Sequence, residues 1–221
     1  MIVAVDGPAG SGKGTVTKGI EKELGFLNLD TGATYRCVAL EAFRKGVNLD
    51  EEEKIIEIAN NIDIKINNTG DKDIILLNGK DVSKEIRTKE VTAIVSQISS
   101  IIPVREKMVE IQRKLAVGKN VIVEGRDIGT VVFPNADVKI YLDASEEVRA
   151  KRRYDENLQN GIDMTYEEVL ANVKMRDYND MNKKVGALKK ADDAIVIDST
   201  DLTINEVVEK IKNIIKDCKL I

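Results

Sequence analysis

The sequence predicts an α/β fold built on a central parallel sheet, and two observations carry that expectation. Short apolar runs recur along the chain at "MIVAV", "NVIVEG", "VKIYLD" and "AIVIDS". A strand covered on both faces needs such a run, because neither of its sides meets water. Between these runs lie stretches with apolar residues at helical spacing. Strand–helix alternation of this kind leads to a parallel sheet with helices packed on it. The length, 221 residues, suits one ample domain or a domain carrying mobile inserts.

Taken in order, "MIVAV" is a buried strand, followed by a glycine-rich loop. Val16, Ile20 and Leu24 then recur at helical spacing, and Gly25 can end that helix. "FLNLD" is a second strand. Residues 33–45 read as a helix with Tyr35, Val38, Ala39, Ala42 and Phe43 on one side. Residues 62–85 break the alternation. "IDIKIN" has period two, "NTGDKD" is a turn, "IILL" a strand and "NGK" a turn, which together make a small antiparallel insert. Farther on, Ser145 can cap a helix whose first turn holds Glu146 and Glu147. "DENLQNGIDMT" reads as a flexible polar loop. Thr165 with Glu168, and Thr203 with Glu206, have the spacing of capping boxes. The last helix carries an apolar stripe of Ile204, Val207, Val208, Ile211, Ile214 and Ile215.

Composition narrows the function. There are 34 basic and 38 acidic side chains, net charge −4, so no general attraction for nucleic acid is expected. Two distant cysteines, Cys37 and Cys218, point to a reducing compartment without a disulfide framework. No apolar run nears the roughly 18–20 residues that span a bilayer. The chain opens directly into a strand pattern without a basic leader, and the final "CKLI" lacks the aliphatic residues of a prenylation box. A cytoplasmic protein, monomeric and with no membrane partner, is expected. The chain holds no histidine, which excludes histidine acid–base chemistry and histidine metal sites.

The glycine-rich loop is the sharpest signal. Gly7, four further residues, then Gly12 and Lys13 follow a strand and open a helix, the context that a phosphate loop requires. Glycines let backbone N–H groups turn inward, and the helix N-terminus adds partial positive charge. Lys13 can reach the β- and γ-phosphates. Gly14 stands where many such loops carry Ser or Thr, and Thr15 brings the hydroxyl one position later. That arrangement is typical of nucleoside monophosphate kinases. It leaves Mg²⁺ held mainly by ATP oxygens and water, with Thr15 near. The guanine signature NKxD of GTPases is absent, since "NKKV" at 182–185 lacks the Asp, and so is the LSGGQ of transporter ATPases.

Three charged stretches accompany it. In "EGRDIGTVVFP", Glu124, Arg126 and Asp127 emerge at the carboxyl end of a strand, where ligands of such folds bind; an internal Arg126–Asp127 ion pair is the rival reading. Arg149, Arg152 and Arg153 fall on one helix face, either as a solvated stripe or as cations closing over a triphosphate. Arg176, Asp180 and Lys183 lie along another helical face or its end, suited to ribose and phosphate or to surface pairs. An acceptor that is itself a phosphate, mostly dianionic at neutral pH, needs no base, so Lys, Arg and Mg²⁺ suffice.

These residues resemble the bacterial-type cytidylate kinases, within the P-loop nucleoside monophosphate kinases, over nearly the whole chain. The marks are "DGPAGSGKGT", "LDTGATYR", "IRTKEV", "VSQIS", "EGRDIGTVVFPNADVKIYLDAS", "RAKRRYDE" and "DAIVIDST". The resemblance implies a single three-layer P-loop kinase domain over 1–221. Its monophosphate-binding region would span about 32–105, with the antiparallel insert at about 62–85 and a helical lid at about 145–165. It implies MgATP as donor and CMP or dCMP as acceptor. Gly7, Pro8, Ala9, Gly10, Ser11, Gly12, Lys13, Gly14 and Thr15 would hold the ATP phosphates. Thr31 and Arg36 would meet CMP. Ser96, Arg105 and Asp127 would read cytosine, and Arg36 and Arg126 would bind its phosphate. Arg176 and Asp180 would bind ribose, with Glu124 and Lys183 also on the CMP side. Lys13, Arg126, Arg152 and Arg153 would be catalytic. A kinase for another monophosphate such as UMP, or a nucleotide-regulated switch, is the alternative. Three residues depart from the family pattern: Glu124 for the usual Asp, Lys183 for Arg, and Ala187 for a frequent Pro.

Overall fold

A computed structural model describes residues 1–68, 73–159 and 161–219. In chain order the strands are β1 (Ile2–Asp6), β2 (Leu27–Asp30), β3 (Ile64–Asn68), β4 (Asp73–Leu77), β5 (Lys80–Asp81), β6 (Val121–Gly125), β7 (Val138–Asp143) and β8 (Ile195–Asp198). The helices are α1 (Lys13–Leu24), α2 (Thr31–Arg44), α3 (Glu52–Asn61), α4 (Lys89–Ile98), α5 (Ile102–Ala116), α6 (Glu146–Gln159), α7 (Tyr166–Met181) and α8 (Ile204–Lys219). They fall into two compact units, Met1–Phe26 with Val121–Ile221, and Leu27–Asn120.

The first unit holds a parallel sheet. β1 pairs with β6 on one side (Val3 opposite Ile122) and with β7 on the other (Val5 opposite Ile140), and β7 pairs with β8 (Leu142 opposite Ile197). The apolar runs read from the sequence are these strands. Val3, Val5, Ile122, Ile140 and Leu142 form one core with Val16 and Ile20 of α1 and Val207, Val208, Ile211 and Ile215 of α8. α1 and α8 approach closely: a Cβ on Gly19 would lie 2.7 Å from Val208 Cγ2. Ile204 is a correction to the expected stripe. It sits in the first turn of α8, 53% exposed, and core contact begins one turn later. A satellite cluster of Ala150, Val169 and Val173 joins α6 to α7.

Two details of α6 and α7 follow from local chemistry. Thr165 accepts from the Glu168 N–H while Glu168 accepts from the Thr165 N–H, the expected capping box. The predicted loop starting at "DENLQ" is instead the last turn and a half of α6. Lys151–Asp155 and Arg153–Glu156 pairs support it along the helix, and the Asn157 side chain is buried against Met164.

In the second unit, α2 buries Ala33, Tyr35, Val38, Ala39 and Ala42, whereas Phe43, expected on that side, is 53% exposed because Ala42 takes the inward position. Asp30 caps α2 by accepting from the Ala33 N–H. The antiparallel insert is β3-β4-β5, with Ile64 opposite Leu77 and Ile66 opposite Ile75 on its buried face. Asn78 and Gly79, both at positive φ, make the predicted β4–β5 turn. The turn predicted between β3 and β4 falls at 69–72, outside the described residues.

Candidate active site

The loop between β1 and α1 has no freedom of sequence at its start. A Cβ on Gly7 would lie 2.0 Å from the Leu142 carbonyl oxygen, so only glycine fits. At the far end Gly12 stands at φ 91 as the N-cap of α1 and supplies no side-chain cap. The first N–H groups of α1 therefore keep the donor capacity that an anion takes up. Lys13, 6% exposed, donates from Nζ to the Gly7 and Pro8 carbonyls at 2.8 and 2.7 Å and to Ser11 Oγ at 3.3 Å. Burial, then the positive charge of Arg126, pull its pKa well below the usual lysine value; Glu124 and Asp6 oppose this. Thr15 is exposed in the first turn of α1. Gly14 faces Glu124: a Cβ there would meet Oε1 at 3.2 Å, so a larger side chain crowds that carboxylate.

Beyond β6 the chain makes a single wide π-helical turn, Ile128–Val132, opened by the buried Asp127. Asp6, at the end of β1, holds this turn. Its two carboxylate oxygens accept from the Ile128 and Gly129 N–H groups, each at 2.8 Å. Burial pushes the Asp6 carboxyl up, the two N–H bonds and Lys13 pull it down and neighbouring Asp127 pushes it up, with a net value of about 6. Arg126 does not pair within its own turn, as the rival reading had it. Its Nε binds Asp180 at 2.8 Å, and Lys183 reaches the other Asp180 oxygen at 3.4 Å. Burial alone would raise the Asp180 pKa, but Arg126, Lys183 and Arg176 together hold it below the ordinary value. Lys13, Glu124, Arg126, Arg176, Asp180 and Lys183 thus share one electrostatic neighbourhood in the first unit.

The three arginines of α6 have different fates. Ser145 caps the helix, accepting from the Val148 N–H. Arg149 is 3% exposed and pairs with Asp177 of α7 at 2.7 Å. Arg152 donates to the Ser199 carbonyl at 2.8 Å. Arg153 pairs with Glu156 at 2.8 Å, with both groups more than half exposed. Breaking a buried pair like Arg149–Asp177 costs about 3–5 kcal/mol, while an exposed pair contributes about 0–1 kcal/mol. Arg149 is therefore fixed, and Arg153 can change partners at little cost.

In the second unit, Thr31 is buried at the first position of α2. One turn on, Arg36 donates from one terminal nitrogen to the Ile86 carbonyl at 3.0 Å and to Thr92 Oγ1 at 2.8 Å. Its pKa is lowered by burial and by Arg87, against Asp30. Arg105, buried on α5, stacks 5.7 Å from the Tyr35 ring centre. Ser96 is exposed on α4, its carbonyl accepting from the Ser99 and Ser100 hydroxyls. Sequence reasoning missed Asp6, Tyr35 and Asp177 as neighbours of these side chains, and it named Arg149 only as one of three arginines on a helix face. Of the three missed residues Asp6 alone had a signal, as the last strand residue before the loop.

The sequence model of the cytidylate kinase family matches residues 3–217. The chain belongs to the cytidylate kinase family. The cytidylate kinase of Fusobacterium nucleatum is 48% identical over 219 residues, covering 99% of both chains. That of Caldicellulosiruptor saccharolyticus is 46% identical over 209 residues, 95% of this chain and 92% of the relative. The Thermus thermophilus protein TT1252, of known crystal structure, matches the fold with a TM-score of 0.50 at 15% identity, over 98% of this chain and 97% of its own. The resemblance drawn from the motifs is borne out. The protein is an ATP-dependent nucleoside monophosphate kinase, with CMP or dCMP as acceptor.

Proposed function

We propose the following division of labour for phosphoryl transfer from MgATP to CMP or dCMP. The loop Gly7–Thr15 cradles the ATP phosphates through backbone N–H groups and the uncapped start of α1. Lys13 exchanges its loop carbonyls for phosphate oxygens, and the nucleotide's negative charge restores its affinity for a proton. Thr31, Arg36, Ser96 and Arg105 of the second unit bind CMP. In the first unit Arg126 binds the acceptor phosphate, Asp127 reads the base, and Arg176 and Asp180 take ribose. Glu124 and Lys183 complete the charge balance. The observation that carries this reading is a buried lysine in a glycine loop that opens an uncapped helix, electrostatically coupled to Arg126.

An oxygen of the dianionic CMP phosphate forms the new bond to the γ-phosphorus as the bond to the β,γ-bridging oxygen breaks, and ADP leaves with that electron pair. No proton has to be removed. Lys13, Arg126, Arg152 and Arg153 place positive charge where the transferring group's oxygens gather negative charge. The residues fit Mg²⁺: Thr15 offers a hydroxyl, and Glu124 and Asp6 are hard oxygen groups. Among the described residues no group of three or more His, Cys, Asp or Glu could hold a metal alone, so ATP oxygens and water would make up the rest. When bound, the ion would supply positive charge that offsets the negative charge of the ATP phosphates. Residues 145–165 serve as the lid and about 32–105 as the monophosphate region of one kinase domain. The protein works as a cytoplasmic monomer without nucleic acid. Among the described residues no helix is long and apolar enough to cross a membrane.

The test is an ADP-release assay with MgATP and CMP, dCMP, UMP, AMP and GMP in turn. CMP and dCMP should turn over fastest, and Asp127→Asn should shift the ranking toward UMP by roughly a hundredfold, because an amide can donate to the uracil O4. An unchanged CMP preference in that variant would remove Asp127 from base reading.

A further inference from the structure

Arg149 shares a helix face with Arg152 and Arg153, yet it is 3% exposed and all three of its nitrogens donate to protein acceptors. Nε donates to the Ala144 carbonyl at 2.9 Å, one terminal nitrogen to the Ala9 carbonyl at 3.0 Å, and the other binds Asp177 at 2.7 Å. Ala9 lies in the middle of the phosphate loop. The next residue, Gly10, leaves no gap on that side, since a Cβ there would stand 3.2 Å from Arg149 Cβ. The peptide between them is planar and trans, so its carbonyl and its N–H point in opposite directions. Fixing the Ala9 carbonyl on Arg149 therefore fixes the Gly10 N–H facing away from α6.

We propose that Arg149 is a positioning residue that sets the Ala9–Gly10 peptide so that the Gly10 N–H faces the nucleotide phosphates, with Asp177 holding Arg149 in place. This rests on the assignment of the loop to the ATP phosphates. A neighbouring arginine braces the same corner of α6. Arg152 donates to the Ser199 carbonyl at 2.8 Å, and the Ser199 hydroxyl donates to the Asp143 carbonyl at 2.9 Å, at the end of β7. α6 is thus tied to the loop through Arg149 and Ala9. Asp177 contributes one oxygen to the pair and leaves its other, also buried, without a hydrogen-bond partner among the described residues. An isolated carboxylate in that setting is costly, so the pair keeps Arg149 charged and in register.

The experiment compares wild type, Arg149→Lys and Asp177→Asn. Binding of inorganic triphosphate and of a non-hydrolysable MgATP analogue is measured by calorimetry, and the KM for CMP at saturating ATP by assay. A single ammonium nitrogen cannot span the three acceptors that the separate guanidinium nitrogens reach, so Arg149→Lys should weaken triphosphate and ATP analogue by the same roughly tenfold factor, about the worth of one charged hydrogen bond. The KM for CMP should stay within about twofold, and Asp177→Asn should show a smaller change in the same direction. Hydrogen exchange should show residues 8–12 losing nucleotide-dependent protection in both variants. A folded Arg149→Lys with unchanged triphosphate binding overturns the proposal. So does a loss confined to the ATP analogue, which would mean a direct contact with its base or ribose, or an equal rise in the KM for CMP. If Arg149→Lys does not fold, Asp177→Asn decides by the same criteria. Lys13→Met separates the two layers: unchanged triphosphate binding there would sink the loop assignment itself.

Discussion

The two units hold most of their charge differently. In Met1–Phe26 with Val121–Ile221, Asp6, Lys13, Asp127, Arg149, Asp177 and Asp180 are all buried. Asp6 is held by the Ile128 and Gly129 N–H groups, Lys13 by loop carbonyls, Arg149 by Asp177, and Asp180 by Arg126. In Leu27–Asn120, Arg36 is half-buried on two neutral acceptors, and Arg87 is 57% exposed on its side chain while paired with Asp30 at 3.3 Å. Buried, bonded charge is costly to rearrange, whereas lightly held arginines adapt with little penalty. Arg105 of the second unit is the exception, buried against Tyr35. The difference assigns preorganisation to the phosphate loop and adaptability to Arg36 and Arg87.

The comparison can be sharpened by substitution, beginning with the strongest effect. Lys13→Met should lower kcat by about a thousandfold or more with the fold intact, because preorganised charge at the transferring group is lost. A loss below tenfold would contradict the role of the locked lysine. Asp6 gives a pH signature. Its folded value of about 6 lies above the ordinary 3.8, so the folded state holds the proton more tightly than the unfolded chain. That contribution to stability is fully present below about pH 3.8 and is lost as pH rises through about 6. The fall is about 3 kcal/mol at one shift unit per 1.36 kcal/mol. Urea unfolding between pH 4 and 7 should show this slope in wild type and not in Asp6→Asn; equal slopes would refute it. Arg36→Met in the adaptable unit should raise the KM for CMP by roughly ten- to thirtyfold, the worth of a charge-assisted contact, and leave the unfolding midpoint nearly unchanged. A large drop in stability would show that Arg36 is structural. Smallest is Lys183→Arg, which should lower the KM for CMP about two- to fivefold by adding a forked donor.

Much of this was legible in advance where a local rule applied. The glycine loop announced itself because a tight approach to Leu142 admits only glycine at position 7. The capping boxes at Thr165 and Thr203 were readable because both partners lie within one turn. Local spacing failed where the outcome depended on a remote neighbour. Phe43 and Ile204 have the right period for a buried face, but how far the opposing surface extends decides whether they are covered. "DENLQ" looked like a loop by polarity, yet its residues are competent helix formers stabilised by pairs along α6.

The sequence by itself determined the strand–helix alternation, the phosphate loop and the family, because these rest on residue type and short spacing. Only the tertiary structure decided which charges act as a set. It gave Arg126 to Asp180, 54 residues away, rather than to adjacent Asp127, and it turned Arg149 from a lid cation into a buried clamp on Ala9, 140 residues away. The physical reason is that a charge takes its meaning from burial and from its partners in space, and neither is encoded within one turn of the chain.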